Sequence, residues 1–424
     1  MRIERDTYLQ KLIEKKWNGH VKVVTGLRRS GKSYILFELF REHLLSEGVA
    51  RDDIIGVELD KITNAGLRHP IKLYEHIESL CKDGRKRYVL IDEIQMVPAI
   101  DNPYVKDGGK INFYDTLNSL MGLKCLDIYV TGSNSKMLST DILTEFRGRG
   151  DEIRIHPLSF SEYYSAVGGD KGEAFQRYQR YGGMPLTLSM ESDKSREKYL
   201  RDLFTETYLK DIKERHRIER LDIMEGVIDI LCSDIGSLTN PKKIADTVSG
   251  GVSDNTVKSY IDMLKDAFLF AEAKRYDVKG RSYLKFPVKY YCEDIGLRNA
   301  RLEFRQMEST HIMENIVYNE LMIRGFNVDA GIVPVSESDE SGKTRIRQKE
   351  VDFVVNKGDR RVYIQSAFAI PDKEKMDQEK ASLHHIKDFF PRVIIRTDTI
   401  GRWYDDEGFL HINLIDFLLD KGCI

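Results

Sequence analysis

Eight residues near the start of the chain, Gly26-Leu27-Arg28-Arg29-Ser30-Gly31-Lys32-Ser33, follow the pattern G-x-x-x-x-G-K-[ST]. The apolar run VKVVT precedes them and the helical pattern SYILFELF follows. Glycines in such a loop let backbone N–H groups converge on phosphate oxygens, and the following helix adds the positive end of its dipole. Lys32 is placed to reach the β- and γ-phosphates and Ser33 to ligate magnesium. The candidate nucleotide-binding residues are therefore Gly26, Arg28, Arg29, Ser30, Gly31, Lys32, Ser33 and Tyr34, with ATP and Mg²⁺ as the expected ligands.

A second group follows about sixty residues later, where RYVLIDEIQ sets Asp92 and Glu93 at the end of an apolar run. Asp92 there holds magnesium, directly or through water, and Glu93 polarises the attacking water, the base role that hydrolysis needs. An acidic dipeptide is common at strand ends, so its spacing from the glycine-rich loop is what gives it meaning. The next run, DIYVTGSNS, ends in Thr131, Ser133 and Asn134. Asn134 is the candidate to orient the lytic water or touch the γ-phosphate, although Gly132, Ser133 and Asn134 equally suit an ordinary turn. LTEFRGRGDEIRI carries Arg147 and Arg149, which suit stabilisation of the transferring phosphate in cis or from a neighbouring subunit. A solvated basic turn is the plain alternative.

Positioning these groups takes strands that all end on one side. Strand-like runs at Val21–Thr25, Ile54–Leu59, Tyr88–Asp92, Ile128–Thr131 and Glu152–Ile155 alternate with helical patterns, which implies a mostly parallel α/β sheet. The chain has 424 residues, 41% apolar and 32% charged, which fits two to four globular domains and excludes a disordered chain. A formal net charge of −2 means that any nucleic-acid site is a local patch. The N-terminal MRIERDTYLQ has no apolar core of a signal peptide, and no run is long enough to span a membrane. The five cysteines are scattered without CxxC spacing, as expected of free thiols in a reducing cytoplasm.

Beyond the first unit, residues 1–158, the pattern is helix-rich over 159–223, with an N-cap expected at Ser159 or Ser161. Residues 224–300 read as a winged helix. One short helix carries Ile244, Ala245 and Val248, Gly250-Gly251 turn the chain, and a second helix carries Val257, Ile261 and Leu264. A hairpin follows, with Lys274, Arg275, Lys279, Arg281, Lys285 and Lys289 on or beside it. Lys258 on the second helix, with Lys279, Arg281 and Lys285, is a candidate contact to DNA. A lid or protein-contact module with a solvated basic surface is the alternative.

GLRRSGKS, VLIDEIQ, VTGSNS, FRGRG and PLSFSEYY together resemble a large bacterial and archaeal family that joins an AAA-type ATPase domain to a C-terminal domain with a restriction-endonuclease-like core. The resemblance implies an α/β protein with an AAA-like P-loop domain, helical linker, winged helix and, over 301–424, an endonuclease-like α/β domain. Its order of helix, strand, strand, helix and strand is read from the amphipathic stretch His311–Arg324, KEVDFVV, RVYIQSAFA, EKASLHHIKDFF and RVIIRT. Active members of that superfamily hold magnesium with a helix Glu, a strand acid and an acid-x-Lys triplet. Glu314 and Asp352 match, but the triplet reads Gln365-Ser366-Ala367, with Lys349 or Lys380 as distant substitutes for the lysine. The loss of one carboxylate and one cation predicts a catalytically silent core. The expected function is an ATP-driven switch or motor acting on DNA or a protein partner, with self-association open; the alternative is an ATP-regulated, metal-dependent DNA nuclease.

Overall fold

Continuous burial is the first structural constraint on the N-terminal strands. All six residues of β1 (Val21–Gly26) are buried, as are all six of β3 (Arg87–Asp92), which follows β2 (Ile54–Glu58). Strands apolar on both faces need cover on both faces, the situation of a parallel sheet flanked by helices. The computed structural model describes all residues except 1, 106–107, 133–145, 147, 217, 219, 249 and 339–343. After a two-stranded ribbon, β4 (Ile100–Asp101) with β5 (Lys110–Ile111), come β6 (Leu126–Thr131) and β7 (Gly150–Ile155). The sheet order is β2-β3-β6-β1-β7, and every neighbouring pair is parallel. A parallel sheet gathers all carboxyl ends on one edge. Gly26, Asp92 and Thr131 therefore finish side by side, although they are far apart in sequence.

One helix runs from Lys32 to Ser46 with a π-helical middle at Ile35–Phe40, and it buries Ile35, Leu36, Leu39 and Phe40 against Val24, Leu90 and Tyr129. At the amino ends of the strands a charge is built into the core. Lys22 is 0% exposed and pairs with Asp127. The Asp127 carboxylate also accepts from the Trp17 N–H at 3.0 Å and the Tyr129 hydroxyl at 3.0 Å. Burial depresses the Lys22 pKa and the attraction of Asp127 opposes it.

The chain forms two compact units. One holds Ile3–Pro157 with Asp266–Phe268; the other holds Leu158–Lys265 and Leu269–Ile424 with the first two residues. The second begins with the helices Phe160–Val167, Lys171–Tyr181 and Asp193–Asp202, the first capped by a reciprocal Ser159–Glu162 box. The helix Leu221–Ser233, β8 (Leu238–Thr239) and the helices Pro241–Thr247 and Asp254–Asp266 come next. The hairpin β9 (Phe270–Asp277) and β10 (Ser282–Cys292) follows, with β8 paired to β10. The rest includes the helices Ile295–Arg301 and Ser309–Ile323, then β11 (Asn327–Ser338), β12 (Thr344–Lys357), β13 (Arg360–Ala367), β14 (Arg392–Arg396), β15 (Arg402–Tyr404) and β16 (Leu410–Asn413), and the helix Leu414–Leu419.

Here the structure departs from the sequence reading in three places. β9 pairs in parallel with β11, so a single sheet ordered β15-β16-β14-β13-β12-β11-β9-β10-β8 runs across the expected division at residue 300. β11 is an additional strand between the helix Ser309–Ile323 and β12. The helix expected over Glu379–Phe390 is instead Lys373–Lys380, started by an Asp372 cap, followed by one short turn at Leu383–His385. No helix among the described residues is long and apolar enough to cross a membrane.

Asp127→Ala would leave the Lys22 ammonium buried without its counter-charge. The expected loss is about 3–5 kcal/mol in urea unfolding of the full-length chain, whereas the double change Lys22→Met, Asp127→Leu recovers most of it. A single variant as stable as the wild type would remove the pair from the folding account.

Candidate functional site

Gly26 ends β1 with φ of +133°, and a Cβ there would lie 2.0 Å from the Ile155 carbonyl oxygen, so this turn accepts only glycine. Gly31, at φ of +100°, then opens the helix that begins with Lys32. Between them Arg28 and Arg29 are exposed while Ser30 is fully buried. The Ser30 hydroxyl has no hydrogen-bond partner among the described residues. Its carbonyl is held at 3.1 Å by the buried Arg5 guanidinium, which also donates to the His156 carbonyl at 2.7 Å. Arg5 thus braces the loop from a part of the chain that no motif marks. Tyr34, one residue after Ser33, accepts a hydrogen bond from the Ile3 N–H.

Lys32 is 4% exposed, and its ammonium donates to the carbonyls of Gly26 at 3.1 Å and Leu27 at 3.0 Å. Burial pushes its pKa down to about 8, against the pull of Glu93 and Asp92. The Ser33 hydroxyl donates to Asp92 at 2.9 Å, and the Thr131 hydroxyl donates to the same carboxylate oxygen. Burial raises the Asp92 pKa while these two hydrogen bonds oppose the rise. The Glu93 N–H in turn donates to the Thr131 hydroxyl at 2.9 Å. Glu93 itself takes a left-handed conformation, φ of +54°, and the Gln95 amide donates to its carboxylate. Thr131 therefore ties the two acids together, a role its place at the end of β6 makes available once β6 lies between β1 and β3.

The residues fit a magnesium nucleotide on three observations. Two hard oxygens, from Ser33 and Asp92, sit side by side. A buried hydroxyl on Ser30 is unpartnered inside the loop. A buried ammonium, Lys32, rests only on loop carbonyls among its hydrogen bonds. Ser33 and Asp92 would hold the ion, which supplies charge neutralisation between phosphates when bound.

Asn134 and Arg147 lie outside the described residues. Arg149 is described and exposed, and its carbonyl accepts from the Val21 N–H at 3.0 Å. That places it at the start of β7, level with the start of β1, whereas the glycine-rich loop follows the end of β1. Six residues at about 3.3 Å each separate the two edges, farther than an arginine side chain extends. A contact in cis from Arg149 to its own loop is thereby excluded.

In the second unit the expected acids do come together, around a residue that was assigned elsewhere. The helix Ser309–Ile323 is bracketed to β10 by Asn315, whose amide exchanges hydrogen bonds of 2.8 Å with both backbone groups of Cys292. This sets Glu314 beside Lys289 at 2.8 Å and the Tyr291 hydroxyl at 2.6 Å. A β-bulge in β12, three steps from Val351 to Val354 against two from Gly331 to Asp329, swings Asp352 to the same place. Gly331 permits the bulge, since a Cβ would come within 2.7 Å of Val354. The Ser366 N–H donates to Asp352 at 2.8 Å, and Lys289 lies 3.8 Å from its other oxygen. Gln365 does not take the place of a second acid: its oxygen meets the Asp352 N–H at 3.4 Å. Ala367 belongs to an apolar cluster with Tyr363 and Ile394. Lys380 pairs with Asp405 at 2.6 Å instead of standing in for the lysine.

Lys289 was expected on the exposed basic hairpin. It is 2% exposed, because between its pair with Ala273 and the pair of Leu284 with Arg275 the strand β10 takes five steps and β9 two. The irregular stretch leaves Lys285 outside and turns Lys289 in. Lys258, Lys279, Arg281 and Lys285 are exposed as expected. Lys258 and Lys285 line one groove of about 410 Å³ with Lys274, Tyr283 and Phe286, and with Asp262 and Glu272, both of which pair with Lys265. Lys279 instead donates to the Pro334 carbonyl, and Arg281 lies at the hairpin turn.

A lysine with a pKa of about 8 ties nucleotide affinity to pH. Phosphate favours the charged form, so binding above that pH must take up a proton. Affinity should be flat below pH 7 and fall by up to about tenfold per unit above pH 8, and Lys32→Arg should flatten the fall because a guanidinium stays charged. Titration calorimetry with ATP across pH 6.5–9.5 reads this; equal affinity throughout in the wild type would contradict it.

Residues 18–164 match the AAA domain family AAA_14, and residues 172–308 match a domain of unknown function (DUF8612). An uncharacterized protein of Haemophilus influenzae is 33% identical over 429 residues, covering 98% of each chain. One of Methanocaldococcus jannaschii is 27% identical over 98% of this chain and 88% of its own length. Among solved structures, the Walker-type ATPase of Pyrococcus abyssi aligns with a TM-score of 0.49 and 14% identity over 71% of this chain and 96% of that one. With a P-loop, an acidic strand end and near-complete coverage of the Haemophilus relative, the chain belongs to that protein's family of AAA-domain P-loop proteins.

Proposed function

We propose that the protein hydrolyses ATP to switch or drive a second unit that engages DNA. The observation that carries the first half is the chain Ser33–Asp92–Thr131–Glu93, in which each link is a hydrogen bond. Lys32 and the loop amides bind phosphates, Ser33 and Asp92 hold Mg²⁺, and Glu93 orients and deprotonates water. The Gln95 amide donates to one oxygen of the Glu93 carboxylate, and a carboxylate keeps further lone pairs with which to act as a base. The described geometry leaves Arg149 a role only in trans, on a neighbouring copy, which makes self-association part of the proposal; Arg147 and Asn134 keep the roles expected of them.

The second half rests on the helices Pro241–Thr247 and Asp254–Asp266 with the hairpin β9–β10, the element order of a winged helix. Lysines on the second helix and on the hairpin share a groove with two exposed rings, Tyr283 at 59% and Phe286 at 39%. Ammonium groups suit phosphates and exposed rings suit stacking on bases, which favours nucleic acid over a protein partner. Residues 301–424 fit a restriction-endonuclease-like core whose role is recognition, because the second strand acid and the triplet lysine are absent from its sequence.

Two experiments test this reading. Glu93→Gln should retain ATP binding while turnover falls by about a hundredfold or more, since the amide cannot accept the proton; unchanged turnover would remove Glu93 from the chemistry. Replacing Lys258, Lys274 and Lys285 by alanine should weaken DNA binding and lower its log–log salt slope by up to about one unit per lost phosphate contact. Because these side chains are exposed, thermal unfolding should be unchanged. A triple variant that binds DNA as the wild type does would move the contact elsewhere, and a wild type that never binds DNA would favour a protein partner.

A further inference from the structure

An ammonium group at 2% exposure stands among carboxylates from two separate elements. The Lys289 nitrogen lies 2.8 Å from Glu314 on the helix, pairs directly with Glu350 on β12, and lies 3.8 Å from Asp352 beyond it on the same strand. Glu314 and Asp352 are themselves buried, at 7% and 8% exposure. Converging anionic oxygens from a helix and a bulged strand are what a hard divalent cation requires. Among the described residues, no group of three or more His, Cys, Asp or Glu is disposed to hold a metal ion. The point on which the oxygens of this cluster converge is the lysine nitrogen.

The surroundings are built around that charge. The Tyr291 hydroxyl donates to the Glu314 oxygen that also meets Lys289, and the Ser366 N–H takes the Asp352 oxygen that Lys289 does not face. The Tyr291 ring stacks on Tyr318 at 4.1 Å, with Phe353 5.9 Å away, so one side of the cluster is walled by aromatic rings. Burial alone would lower the Lys289 pKa, but Glu314, Asp352 and Glu350 outweigh it and hold the group charged.

We propose that Lys289 is the permanent cation of a metal-type site, filling the position between Glu314, Glu350 and Asp352 and shutting divalent ions out. The acid set of an endonuclease-like core is thus kept as a structural joint between the hairpin β9–β10 and the helix Ser309–Ile323, one that chelators do not touch. A neutral side chain at position 289 leaves the acids without a counter-charge and opens a site for Mg²⁺ or Mn²⁺. The inference rests on the reading of this unit as a silent core and is tested separately from it.

The experiment counts bound Mn²⁺ on the nucleotide-free, full-length chain by electron paramagnetic resonance. Wild type and Asp352→Asn should bind equal numbers of ions, and EDTA should leave the wild-type unfolding temperature unchanged. Lys289→Met should bind one additional ion. The double variant Lys289→Met, Asp352→Asn should lose it. An ion bound by the wild type but not by Asp352→Asn overturns the proposal, as does a folded Lys289→Met that gains none. Should Lys289→Met fail to fold with or without Mn²⁺, the comparison of wild type with Asp352→Asn decides alone. Cleavage of DNA by the wild type that vanishes in Asp352→Asn would sink the silent-core reading, while the Mn²⁺ count still judges Lys289.

Discussion

A lysine ammonium inside a protein has to be compensated, and three of them, Lys22, Lys32 and Lys289, show how the kind of compensation decides the role. Lys22 has one carboxylate, itself held by a tyrosine hydroxyl and a backbone amide, at the edge of the sheet away from the glycine-rich loop. Such a pair orders the strands β1 and β6 and is closed to further partners. Lys289 has acids from two elements and is closed in the same sense. Lys32 is different: its hydrogen bonds go to two neutral carbonyls, and its pKa falls to about 8. A charge so incompletely compensated would gain most from an arriving phosphate, which sets Lys32 apart from the two closed pairs.

The strand arrangement of the first unit converts sequence order into chemistry. Because all five strands run the same way, everything that follows a strand lies at one edge and everything that precedes one lies at the other. Gly26, Asp92 and Thr131 each end a strand and meet. Arg149 begins one and is left on the far side. Thr131 gains its bridging place between Asp92 and Glu93 from the position of β6 between β1 and β3. The hydroxyl is short and buried, so it fixes the angle between the two acids more firmly than a longer side chain would.

In the second unit, irregularity of the strands does the positioning. A single extra residue in β12 carries Asp352 toward the helix, and three extra residues in β10 carry Lys289 inward, while Lys279 and Arg281 at the hairpin turn stay exposed. Neither residue would meet the other in regular strands, whose side chains alternate strictly between faces. The parallel pairing of β9 with β11 then makes the hairpin part of the larger sheet, so an element that reads as a separate module shares its hydrogen bonding with the C-terminal strands.

The sequence by itself determined what is local. The loop from Gly26 to Ser33 is legible because its function depends on backbone torsions and contacts within eight residues, which glycine positions and a following helix specify. Asp92 and Glu93 are legible because an apolar run ending in acids marks a strand end and lies about sixty residues after the glycine-rich loop. The exclusion of a cis contact from Arg149 was also legible, since a residue that precedes a parallel strand cannot share an edge with a loop that follows one. What only the tertiary structure decided is register: the bulge at Asp352, the five steps of β10 that bury Lys289, and the pairing of β9 with β11. A period-two pattern assigns each strand residue to a face only while the strand stays regular, and an inserted residue reverses every assignment after it. For that reason the chain counted Lys289 among its surface charges, and folding made it the buried partner of Glu314 and Glu350.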